Sequence, residues 1–164
     1  MIIGLAYDLK DKILLKEGLP EDALEEYDSP ETINGLASAL EAAGHSVVNL
    51  GGGREFLINV LNTRVDLVFN ISEGRGNYRS REAQVPSALE MLGIPFVGSD
   101  PLCLAVCLDK PLTKKLASSA GITTPKWLVV KDRKGLDDVD LSDFPFPSFV
   151  KPAQEGSSKG VRLL

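Results

Sequence analysis

Near its end the sequence reads Lys151-Pro152-Ala153-Gln154-Glu155-Gly156-Ser157-Ser158-Lys159-Gly160. A lysine at the end of an apolar run faces a loop of small residues. Backbone N–H groups in such a loop can approach a ligand closely, and N–H donors together with a lysine charge suit phosphate oxygens. The loop is not Gly-x-x-x-x-Gly-Lys-Ser/Thr, the phosphate loop of many nucleotide hydrolases. Gly and Ser also suit a plain hairpin turn, which composition alone favours; the upstream Phe149-Val150-Lys151-Pro152 run shifts the balance toward a ligand loop.

A second group is Leu108-Asp109-Lys110-Pro111-Leu112-Thr113-Lys114-Lys115. Lys110, beside an aspartate and before a proline, is a candidate cation for a phosphate ligand, whereas Lys114 and Lys115 read as a solvated helix face. A third group runs from Asn70 to Glu82 (NISEGRGNYRSRE) and follows an apolar strand signal. Open α/β sheets place ligands at that end of a strand. Its acid, Arg, Tyr and Gly suit an anion or amino-acid site, or a solvated loop. Gly51-Gly52-Gly53 does not match a dinucleotide fingerprint. Cys103 and Cys107, four apart, read as small apolar core residues. With those two cysteines and the single His45, no Cys/His zinc site is expected.

The elements that must position these groups alternate. Met1–Tyr7 is a continuous apolar run, as in a strand buried on both faces. Residues 8–28 are acidic, with helix-compatible pieces around Pro20–Tyr27. Ser29-Pro30-Glu31 then reads as an N-cap, a proline at the first helical position and a first-turn acid. Ile33, Leu36, Ala37 and Leu40 form one helix face, and Gly44 ends it. Strand signals follow at Ser46–Leu50, Asp66–Ile71 and Pro95–Gly98, with helices at Glu55–Asn62 and around Val85–Leu92. This order predicts an α/β fold with a parallel sheet over residues 1–99. Beyond residue 100, a helix over Leu102–Ala120 is expected, then strands at Trp127–Val130 and Ser148–Lys151. Val161–Leu164 is expected to pair with the last of these as a hairpin.

The 164 residues, 43% hydrophobic and 25% charged, fit a globular chain of one domain or one domain and part of another. No apolar run reaches the ~18 residues of a membrane span. The net charge is −5, and the first 50 residues hold ten acids and three bases. Such a chain is a poor non-specific nucleic-acid binder. No basic stretch precedes the first apolar run, so a cytoplasmic location is expected.

Four segments together resemble the D-alanine–D-alanine ligase family of the ATP-grasp superfamily. They are Leu89–Asp100, Leu108–Lys115, Ser119–Pro125 and Phe149–Val161, in the family's order and roughly its spacing. The resemblance implies a Rossmann-like domain at residues 1–99 and the opening of an ATP-grasp domain at 100–164, incomplete here. It implies ATP and magnesium as cofactors, the magnesium ligands lying beyond residue 164. It implies small amino-acid substrates joined through an acyl phosphate. Lys110 and Lys151 match the family's phosphate-contacting lysines. Gly156, Ser157, Ser158 and Gly160 match its closing loop, with Ser157 also orienting substrate. Glu73-Gly74 stands where the family has His-Gly, so substrate contact there differs. Glu73 and Glu31 are the candidate substrate-side acids. The 164 residues alone are expected not to catalyse ligation, and a homodimer is expected. A ligase for other amino acids, or a non-enzymatic α/β binding module, are the alternative readings.

Overall fold

The computed structural model describes residues 1–13, 22–137 and 139–164. Four strands, β1 (Ile2–Ala6), β2 (Ser46–Gly51), β3 (Leu67–Asn70) and β4 (Phe96–Val97), form one parallel sheet in the order β2-β1-β3-β4. Helices α1 (Pro30–Ala42), α2 (Gly53–Asn62) and α3 (Gln84–Leu92) are the crossovers. Both faces are covered. Leu5, Tyr7 and Ile33 pack α1 against one face. Ala6, Leu50, Val68, Phe56, Val60, Val85 and Leu89 pack α2 and α3 against the other. A parallel strand buried on both sides must be apolar throughout, which is why β1 reads Ile-Ile-Gly-Leu-Ala.

The predicted punctuation is seen. The Ser29 hydroxyl accepts the Thr32 N–H at 3.3 Å, with Pro30 in the first turn of α1. Gly93 ends α3 at φ +66°. The order β2-β1-β3 puts a switch point between β1 and β3, so their carboxyl ends open a crevice. Asp8, Gly52, Ser72, Glu73, Gly98 and Ser99 lie on that edge. Gly52 is required there, since a Cβ would fall 2.0 Å from the Asp8 carboxylate.

Past residue 100 three expectations change. The single helix over Leu102–Ala120 is two helices, α4 (Pro101–Leu108) and α5 (Lys110–Ser119). Asp109 breaks them at ψ 88° and caps α5, its Oδ1 accepting the Leu112 N–H at 3.0 Å. Pro111, which has no N–H, fits the new first turn. Trp127–Val130 is not part of a strand, with Val129 and Val130 exposed and no ladder partner among the described residues. The hairpin forms as expected: β5 (Phe149–Val150) pairs antiparallel with β6 (Arg162–Leu163). Residues 22–27 form turns rather than a helix, and Pro20 and Glu21 lie outside the described residues. Cys103 and Cys107 are exposed on α4, not core residues, their sulfurs 4.0 Å apart.

Candidate functional site

A cavity of about 530 Å³ opens over the carboxyl edge of the sheet. The β3 and β4 ends contribute Ser72, Glu73 and Ser99, the 22–28 turns contribute Glu26 and Asp28, and the glycine–serine loop contributes Ser157.

Glu26 holds these pieces together. Its side chain is buried, and its carboxylate accepts from the equally buried Arg81 guanidinium and from the Gly156 N–H. Lys159 Nζ lies 3.4 Å from its second oxygen and 2.9 Å from Glu155. Burial alone would raise the Glu26 pKa. The Arg81 and Gly156 bonds outweigh burial and hold the carboxyl below its ordinary range. Removing one partner from a buried pair like this leaves an uncompensated charge, at a cost of about 3–5 kcal/mol.

Glu73 is the opposite case. Burial first, then repulsion from Glu82, Glu26 and Asp28, push its carboxyl up to about 7, and the Arg81 charge only partly offsets them. Burial also raises Glu82 and Asp28. Near neutral pH Glu73 can therefore hold or release a proton. Ser72, 7% exposed, lines the same cavity with a hydroxyl that has no hydrogen-bond partner.

Two aspartates brace the rim. Asp8 accepts the Gly74 N–H at 3.0 Å and pairs with Arg75 at 2.9 Å. Gly74 needs its φ of +80°, and a Cβ there would fall 2.0 Å from the Arg81 carbonyl oxygen. Asp109 pairs with Arg79 at 2.6 Å and accepts from Gln154 Nε2 at 3.2 Å. One side chain thus ties the α4–α5 junction to the 70–82 loop and to the β5–β6 connection.

The expected phosphate groups gather on the β5–β6 side. Lys110 donates from Nζ to the Glu155 carbonyl, and from its backbone to Ala153 at 3.0 Å. Burial lowers the Lys110 pKa, the Glu26 and Glu155 charges oppose that, and the Lys151 ammonium adds to the lowering. Lys151 is exposed, its Nζ 5.5 Å from the centre of the Phe149 ring. Ser157 and Ser158 both take left-handed conformations, φ 47° and 59°, each costing on the order of 1 kcal/mol or more. The Gly156 and Gly160 N–H groups are taken by carboxylates, Glu26 for the first and Asp22 at 2.8 Å for the second.

An exposed lysine next to a half-buried one fits a polyanion, because an anion between them reverses the mutual repulsion. For its two glycine N–H groups to meet that anion, they must exchange their carboxylate acceptors. Among the described residues, no group of three or more His, Cys, Asp or Glu is arranged to hold a metal.

Two other sequence expectations are placed differently. Lys114 is not a free surface charge. It bonds Thr124 at 2.7 Å and the Pro125 carbonyl at 3.1 Å, and sits 5.3 Å over the Trp127 ring. Glu31 is exposed in the first turn of α1, and Ser29 holds its carboxyl below the ordinary range. It is not among the cavity-lining residues. The acids that do line the cavity from the first 50 residues are Glu25, Glu26 and Asp28, and Glu26 is the buried one. Its place in the acidic run Glu25-Glu26 hid it. Its signal was the arginine at position 81, which needs a counter-charge once buried.

The sequence is 35% identical over 136 residues to the D-alanine–D-alanine ligase of Aquifex aeolicus, covering 83% of this chain and 45% of that protein. It is 40% identical over 127 residues to the D-alanine–D-alanine ligase of Pseudomonas entomophila, covering 77% of this chain and 38% of that one. The fold matches the crystal structure of the Bacillus anthracis D-alanine–D-alanine ligase complexed with ATP at a TM-score of 0.69 and 26% identity, over all of this chain and 50% of that one. The chain is similar to D-alanine–D-alanine ligases over about four fifths of its own length. It spans less than half the length of the curated ligases it matches. No family model matches it.

Proposed function

We propose that the chain forms the amino-terminal part of a cytoplasmic, ATP-dependent carboxylate–amine ligase that joins two amino acids for peptidoglycan synthesis. Residues 1–99 are its Rossmann-like domain and 100–164 the opening of its ATP-grasp domain. The observation that carries this reading is that Lys110, near enough to Lys151 to feel its charge, bonds the glycine–serine loop at Glu155, while Ser157 of the same loop lines a cavity sized for a small molecule. ATP, held with magnesium whose ligands lie beyond residue 164, supplies the phosphoryl group that activates a carboxylate.

This chain's residues bind and position. Lys110 and Lys151 neutralise phosphate charge. The loop of Gly156, Ser157, Ser158 and Gly160 closes over the phosphates and excludes water. Ser157, which lines the cavity, orients the substrate carboxylate. Glu26 and Glu73 face the substrate amine. Glu31 has the weaker claim to that role because it faces solvent.

Lys151→Ala in the full ligase is expected to lower kcat/KM for ATP by at least about 100-fold, as loss of a charge clamp on a transferring phosphoryl group does. Unchanged nucleotide affinity and rate would remove the phosphate role and leave a non-enzymatic α/β module. The 164 residues alone should release no phosphate from ATP with D-alanine. Exposed Phe149, Leu163 and Leu164 on the hairpin support a homodimer; light scattering that gave a monomer at all concentrations would refute it.

A further inference from the structure

Helix α4 carries a pair of groups that the cavity does not use. Cys103 and Cys107 are both free and exposed, with their sulfurs 4.0 Å apart. Neither lines a cavity described above. Four residues apart on one helix, they stand one turn above the other on the same face. This is the spacing by which two histidines of one helix share a zinc ion.

The spacing decides what the pair can do. A disulfide needs its Cβ atoms about 3.5–4.5 Å apart, whereas residues i and i+4 of a regular helix hold theirs at about 5–6 Å. Both cysteines lie inside α4 (Pro101–Leu108), so oxidation of the pair would require this helix to open. A metal ion between the sulfurs makes no such demand. Zinc lies about 2.3 Å from a thiolate sulfur, and a tetrahedral angle then puts two sulfurs about 3.8 Å apart. The observed 4.0 Å is close to that edge without any movement of the helix.

The pair is also a poor nucleophile. Desolvation first, then the Cys103 thiol, push the Cys107 thiol up. A thiol that keeps its proton attacks slowly, but a coordinated cation removes that proton outright. Soft sulfur ligands select zinc and similar thiophilic ions over magnesium or calcium. Two cysteines cannot close a four-ligand site within one chain. They can supply one edge of it and leave two corners open to water or to the thiols of a second copy.

We propose that Cys103 and Cys107 form a chelating site for a thiophilic divalent cation, of the zinc and cadmium class, on the exposed face of α4. Each sulfur gives its proton to solvent and donates a lone pair to the ion, so two protons leave for each pair engaged. The ion ties one turn of α4 to the next, directly before the Asp109 break and Lys110. The site stands apart from the ligase reading, since neither sulfur belongs to the cavity.

Titration of the reduced chain with cadmium chloride, followed by the ultraviolet thiolate-to-metal charge-transfer band, tests this. Carboxylate ligands give no such band, so binding at the acidic surface is not mistaken for it. The band should saturate at one ion per chain, or at one ion per two chains with a doubled mass in light scattering where a second copy fills the open corners. Zinc chloride should compete the band away. Cys103→Ser and Cys107→Ser should each weaken binding by about 10-fold or more, with the thermal midpoint of the metal-free chain unchanged. Cys107→His, which keeps a zinc ligand, should bind zinc more tightly than Cys107→Ser does. Absence of the band, a band of equal strength and affinity in either serine variant, or failure of zinc to compete overturns the proposal.

Discussion

Replacing Glu73 by glutamine should stabilise the protein, and only above a definite pH. The folded state holds the Glu73 proton up to about pH 7, whereas an ordinary glutamate releases it near 4.5. Between those values the folded form binds more protons than the unfolded form, so stability falls as pH rises through the window. Each tenfold step is worth about 1.36 kcal/mol, which sets a ceiling of about 3.4 kcal/mol above pH 7. Glu73 is still partly open to water, which screens its repulsions, and about half of that ceiling is the more physical figure. Glutamine keeps the size and loses the charge. For a chain of this length, about 1.5 kcal/mol is a rise of roughly 3–6 °C in Tm. Thermal unfolding of both proteins at pH 4 and pH 8 measures it. The gain should be present at pH 8 and absent at pH 4. A gain of equal size at both pH values, or a loss at pH 8, would show that the acids around Glu73 do not repel it as described.

Arg81→Met should destabilise the fold by about 3–5 kcal/mol, because it strands a buried Glu26 carboxylate; adding Glu26→Gln should recover much of that loss in the double variant, and an additive double variant would argue against the pair. Asp109→Ala should cost about 1–2 kcal/mol through the lost cap of α5 and the loss of Arg79 and Gln154 as partners, with Asp109→Asn milder, measured by urea unfolding.

The alternation of apolar runs and helix faces made the parallel sheet legible, since every strand of it is a local pattern with caps such as Ser29 and Gly93. The lysines and the loop were legible as well, because chemistry of that kind is written in consecutive residues. Other features depended on distance. Glu26 and Arg81 are 55 residues apart, and no periodicity joins them. Asp109 looked like one polar residue inside a long helix until its side chain proved to cap a new one, although Asp-x-Pro is a local signal that could have been taken. Lys114 looked solvated because its partners, Thr124, Pro125 and Trp127, lie beyond a turn whose course the sequence does not specify. Trp127–Val130 has the composition of a strand but no neighbour to pair with among the described residues, and strand formation depends on that neighbour.

The clamp on Glu26 also sets an order of events. Its bond to Arg81 spans 55 residues, while those to Gly156 and Lys159 span 130 and 133. During synthesis at about 5–20 residues per second, Arg81 leaves the ribosome roughly 4–15 s before Gly156 does. Through that interval Glu26 has the arginine as its early partner, and the sheet can form around the pair. The wall that Ser157 supplies arrives afterwards. Contacts of such long range are the slow ones in folding. The binding cavity is thus completed only after the sheet beside it.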